Sequence, residues 1–200
     1  MKPSLACLLF GAIFLLSCER QEEKSVQSYL DATFQLYQEQ GEDTTAIAKE
    51  LTRGLTAYPD SVPLLLSRAS LYCGRGMLSE CRTDLQRLLK IQPTIIEARM
   101  TLCMLDEFEG TDKNTSENCY SEVVRQYAAL PSAPSPELEV ANSLNYVFAL
   151  LMARHPDAEK EKSALLTRLG SEPQAHLYFE ILNDFDRDIW LHKTLAQPWE

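Results

Sequence analysis

Glycine and positive charge are both scarce in this chain of 200 residues, which has 7 glycines and 19 lysines and arginines against 29 aspartates and glutamates. The net charge of −10 opposes contact with a phosphate backbone, so nucleic acid is not an expected partner. With so little glycine and only 10 prolines, collagen-like and low-complexity architectures are excluded. The longest apolar run, Leu5 to Leu16, has twelve residues, whereas about 20 are needed to cross a bilayer. Alternating β-branched runs are missing, so strands are not expected. The three histidines, His155, His176 and His192, show no metal-ligand spacing, and there is no C-x-x-C pair. No G-x-S-x-G elbow or glycine-rich phosphate loop is present either. These absences point away from an enzyme, a metal site and a bound cofactor. Asp184, Asp186 and Asp188 resemble half of a calcium loop but lack its glycine and closing glutamate, and they read as a solvated charge cluster. What is present is 45% hydrophobic residues, enough for the core of an ordinary globular domain.

The N-terminus carries one cation, Lys2, then the apolar run, and ends in Leu15-Leu16-Ser17-Cys18. This resembles the lipobox of bacterial lipoproteins. The resemblance implies a signal peptide over 1–17, cleavage before Cys18, and acylation of that cysteine with fatty acids such as palmitate. Residues 18–27 would then form a short lipidated tether. Because Lys2 leaves with the signal, the mature net charge is −11. Glu19 stands where enteric lipoproteins retained at the inner membrane have aspartate, so the resemblance points to the outer membrane, facing the periplasm. Export also implies an oxidising compartment, in which the remaining four cysteines, Cys73, Cys81, Cys103 and Cys119, are expected as disulfides. Three pairings are open to them.

From Val26 onward nearly every segment has helical spacing, which predicts an all-α chain. Pro59 and Pro93 each close an amphipathic segment and lie 34 residues apart. A 34-residue unit from Val62 to Ile95 places Leu65, Ala69, Tyr72, Cys81, Leu85 and Pro93 in the large, small, aromatic, small, large and proline places of the tetratricopeptide repeat. The unit resembles that family, with Arg68 and Leu88 as departures where leucine and alanine are usual. The resemblance implies an α-solenoid of antiparallel helix pairs. Ser28 to Ser61 fits a preceding unit and Ile96 to about Ala133 a following one, the latter with a polar loop, Gly110 to Asn118, about four residues longer than standard. Three repeats over 28–133 result. Register within them places Cys103 opposite Cys119, and Cys73 and Cys81 flank a turn at Gly74-Arg75-Gly76. The expected bridges are therefore Cys73–Cys81 and Cys103–Cys119. All four as free, buried core residues is the alternative.

After Pro134 and Pro136, residues 137–200 read as a degenerate fourth helix pair followed by capping helices. The last piece lies near Asp188 to Leu195, and a terminal helix is expected to cover the final repeat. In the resembling family the groove is lined from the first helix of each unit. Here that gives Pro63, Leu66, Ser70, Cys73 and Gly74, then Glu97, Met100, Met104, Glu107 and Phe108. Leu66, Ser70, Met100, Met104, Glu107 and Phe108 are the expected partner-binding residues, suited to an amphipathic helix or loop of another protein. The resulting functional expectation is a non-enzymatic, outer-membrane-anchored binder of one protein partner. It would serve as an immunity protein that neutralises a secreted antibacterial effector, or as a scaffold or pilotin-like factor for an envelope machine such as a secretion system or pilus.

Overall fold

The computed structural model describes residues 24–40, 44–170 and 175–195, with the side chains of 40 and 175–177 set aside. Cys18 and the expected signal and tether up to residue 23 lie outside the described residues. Among those described there are ten helices and no strand. They are α1 (Val26–Gln40), α2 (Thr44–Ala57), α3 (Val62–Gly74), α4 (Leu78–Ile91), α5 (Ile96–Phe108), α6 (Lys113–Ala128), α7 (Pro136–Met152), α8 (Ala158–Leu169), α9 (Ala175–Asn183) and α10 (Arg187–Leu195). From α1 to α9 each helix packs on the next, giving an all-α stack of consecutive neighbours. The last helix departs from that order and turns back onto α5 and α3.

The internal period is visible in the backbone. α3 and α5 begin and end 34 residues apart, and each is followed by a glycine in the left-handed region, Gly76 at φ 68° and Gly110 at φ 92°. At both places the chain leaves the helix with the same bonds. Gly76 and Met77 donate to the carbonyls of Cys73 and Tyr72, and Gly110 and Thr111 donate to those of Glu107 and Asp106. A side chain would strain the backbone at these two positions, so glycine is used to turn sharply into the next helix. The expected long polar loop over Gly110 to Asn118 is not what forms. α6 already begins at Lys113, because Asp112 caps it by accepting from the Thr115 amide at 3.1 Å. α6 is therefore two residues longer than α4, with 16 against 14.

One continuous core runs through α1 to α7 and takes in Leu191 and Leu195 of α10. A smaller cluster joins Val147 of α7, Leu165, Leu166 and Leu169 of α8 and Leu182 of α9. Close approach at the N-terminal end depends on Gly54, where an added Cβ would stand 2.9 Å from Leu64 and 3.0 Å from Tyr29. Arg68, which occupies a place where the repeat pattern calls for leucine, is accounted for by Asp84. Its Nε and Nη2 each donate to one carboxylate oxygen at 2.7 Å, tying α3 to α4. That hydrogen-bonded partner raises the guanidinium's already high pKa, so the Arg68 charge persists across the physiological range. Two disulfides, Cys73–Cys81 and Cys103–Cys119, join α3 to α4 and α5 to α6, with Cα separations of 5.2 and 5.7 Å.

Candidate docking surface

The candidate partner-binding residues all lie on α3 and α5, and the structure separates them into two groups. Glu107 and Phe108, at the C-terminal end of α5, are engaged by α10. The Arg187 guanidinium forks onto the Glu107 carboxylate, with Nη2 donating to Oε2 at 2.7 Å and Nη1 paired with Oε1. Its Nε donates to the Met152 carbonyl at the end of α7 at 2.9 Å. Tyr120 of α6 donates its hydroxyl to the same Glu107 carboxylate at 2.9 Å, and the guanidinium lies over the Tyr120 ring. Burial, and then the adjacent carboxylate, push the Tyr120 hydroxyl well above its ordinary pKa, so it stays a donor. Phe108 meets the His192 ring edge-on at 5.3 Å. Met104 is only 7% exposed and belongs to the core.

α10 thus crosses the C-terminal ends of the inner helices. Trp190 stacks on Phe148 of α7 at 5.1 Å, and the Leu195 carbonyl oxygen stands 3.8 Å from where a Cβ on Gly76 would lie. α9 packs on α8, while α10 serves as a strap across α3, α5 and α7. Three of the six expected binding residues, Met104, Glu107 and Phe108, are consequently spent on internal contacts. An arginine with two leucines four residues apart has a better use inside the molecule than in water, provided a carboxylate and an apolar floor await it.

The second group remains available. Ser70 is exposed, and Leu66 and Met100 are half-buried. Pro63 and Glu97 are both exposed, flanking them toward the helix N-termini. Glu97 accepts from the Tyr127 hydroxyl of α6 at 3.1 Å, which holds its carboxylate in place. Met100 precedes Glu107 by seven residues, about 10 Å along the axis. Leu66 with Ser70 one turn on, and Met100 with the fixed Glu97 carboxylate one turn back, make up the candidate strip. Such a strip can bury an apolar anchor of a partner and orient it through the polar edge.

Sequence reasoning missed Arg187, Trp190, Phe148 and Tyr120. The available signal was Arg187 itself, a lone cation among Asp184, Asp186 and Asp188. Asp186 caps α10 by accepting from the Ile189 amide at 2.9 Å, and Asp184 and Asp188 are exposed. No group of three or more potential metal ligands occurs among the described residues. No helix among them is long and apolar enough to cross a membrane. Neither a protein-family model nor a curated protein matches the sequence.

Proposed function

We propose that the chain is a tetratricopeptide-like lipoprotein, held at the outer membrane by acyl chains on Cys18, that binds one protein partner on the periplasmic side. The observation that carries this reading is the accessibility of Pro63, Leu66, Ser70 and Met100 on α3 and α5, while α10 closes the C-terminal end of α5. The 34-residue spacing of α3 and α5 and the paired glycine turns support the repeat assignment. A closed, disulfide-braced array with a short free strip suits a single dedicated partner better than a platform for many. For that reason the immunity reading, in which the partner is a secreted antibacterial effector, is preferred over assembly of an envelope machine.

The test is affinity capture with the tagged mature protein, run against secreted fractions of competing strains and against envelope extracts. Stoichiometric recovery of a toxin, lost in a Leu66→Glu/Met100→Glu variant that keeps the wild-type circular dichroism spectrum, is the expected result. Recovery of a secretion or pilus component would replace immunity with assembly. Capture indifferent to the double substitution would overturn the surface.

A further inference from the structure

We propose that α1 is a membrane-contacting helix, whose exposed aromatic stripe rests in the interfacial layer of a bilayer with neutral headgroups. Leu30, Phe34 and Tyr37 follow one another at helical spacing of four and three residues, so they share one face. Leu30 is half-buried against the core, whereas Phe34 and Tyr37 are 60% and 62% exposed, the most exposed large apolar side chains described. The end helix of a helical stack ordinarily turns a polar face outward, and on α1 Phe34 and Tyr37 interrupt an exposed face otherwise made of Gln27, Ser28, Asp31, Gln35, Gln38 and Glu39.

Position and charge choose the occupant. Only seven residues lie between Cys18 and Val26, a span of at most about 28 Å, so α1 is the helix a lipid on Cys18 would hold nearest the bilayer. Phenylalanine and tyrosine favour the membrane–water boundary, where the ring is buried and the hydroxyl stays wet. α1 contains no lysine or arginine, and its charges are Asp31 and Glu39. Together with the net charge of −11 for the chain from Cys18 onward, this disfavours anionic lipid and leaves a neutral surface as the fitting one. Two aromatic side chains bind a bilayer weakly on their own. A tether makes the contact intramolecular, so weak affinity suffices. The consequence is an orientation, with α1 against the membrane and the stack standing off from it.

This inference rests on the lipid-anchor reading, and its test separates the two. The full-length protein with Phe34→Trp is purified from membranes, its mass is measured, and it is reconstituted into phosphatidylcholine vesicles containing brominated acyl chains. Emission of the introduced indole is read as the difference from the unsubstituted protein, which has two tryptophans. An acylated Cys18 together with loss of most of the added emission is expected, while an Ile189→Trp control on α10 keeps its emission. An acylated Cys18 with unquenched added emission in the Phe34→Trp protein overturns the orientation and leaves the anchor. Blue-shifted but unquenched emission assigns the stripe to a second copy and likewise overturns it. A Cys18 without acyl chains removes the anchor reading and this inference with it.

Discussion

Arg187 reaches back 80 residues to clasp Glu107, and through that pair α10 is fixed to α5 while its Nε secures the end of α7. Both side chains are largely buried, 12% and 17% exposed, so removing one leaves the other charged and poorly solvated.

Arg187→Ala is therefore expected to cost about 3–5 kcal/mol. Since a domain of this size loses about 2–4 °C per kcal/mol, thermal unfolding reports it as a fall of on the order of 10 °C. Limited proteolysis should then cut between α9 and α10 first. An Arg187→Ala protein that melts like wild type and resists the protease would show that the strap is held by its leucines alone.

A second buried pair makes a comparable prediction at a different place. Asp84 is 2% exposed and accepts both bonds from Arg68, which also donates to the Thr52 hydroxyl at 3.0 Å. Asp84→Ala should destabilise by about 3 kcal/mol or more. Arg68→Leu/Asp84→Leu together should recover most of that loss, since an apolar pair restores the leucine the repeat pattern calls for. Chemical denaturation of the single and double variants decides the matter.

The two disulfides should contribute unequally. Cys103–Cys119 closes 16 residues and Cys73–Cys81 closes 8, so chain entropy favours the former, at about 3 against about 2.5 kcal/mol. Cys103 and Cys81 are both fully buried, so each pair is replaced by alanines. Denaturation of the Cys103→Ala/Cys119→Ala variant should show the larger loss, and peptide mapping without reductant checks the connectivity.

Alkaline pH should weaken the fold in a defined window. Burial, followed by Glu107 for Tyr120 and Glu97 for Tyr127, raises both hydroxyls above their ordinary pKa near 10. The folded state thus holds protons that the unfolded state releases, so this stability is fully present below about pH 10 and declines as pH rises beyond it. In an ultraviolet titration, Tyr120 and Tyr127 should ionise only as the protein unfolds. Tyr120→Phe should remove one tyrosine from that late step and soften the alkaline loss.

Much of the stack was legible in the sequence because its cause is periodic. Pro59 and Pro93 mark the ends of α2 and α4, and the equal spacing of α3 and α5 follows from apolar residues recurring on one helical face. The route of α10 was not legible. Nine residues with leucines at 191 and 195 fit any apolar floor, and only the three-dimensional meeting of Arg187 with Glu107 selects one. The internal contacts of the expected binding residues were not legible for the same reason. Leu66, Ser70 and Met100 stay accessible, while Met104, Glu107 and Phe108 meet neighbours that are distant in sequence. At Gly110 to Asn118, polarity suggested a loop, but Asp112 supplied a cap that turned it into helix.

Photocrosslinking in the living cell tests the central claim most directly. A photoreactive amino acid is placed in turn at Leu66, Met100 and Ile189, and the chain is probed for covalent partners after irradiation. The strip on α3 and α5 predicts one discrete adduct of the same protein from positions 66 and 100 and none from 189. Adducts confined to position 189, or no protein adduct from either strip position, would contradict it.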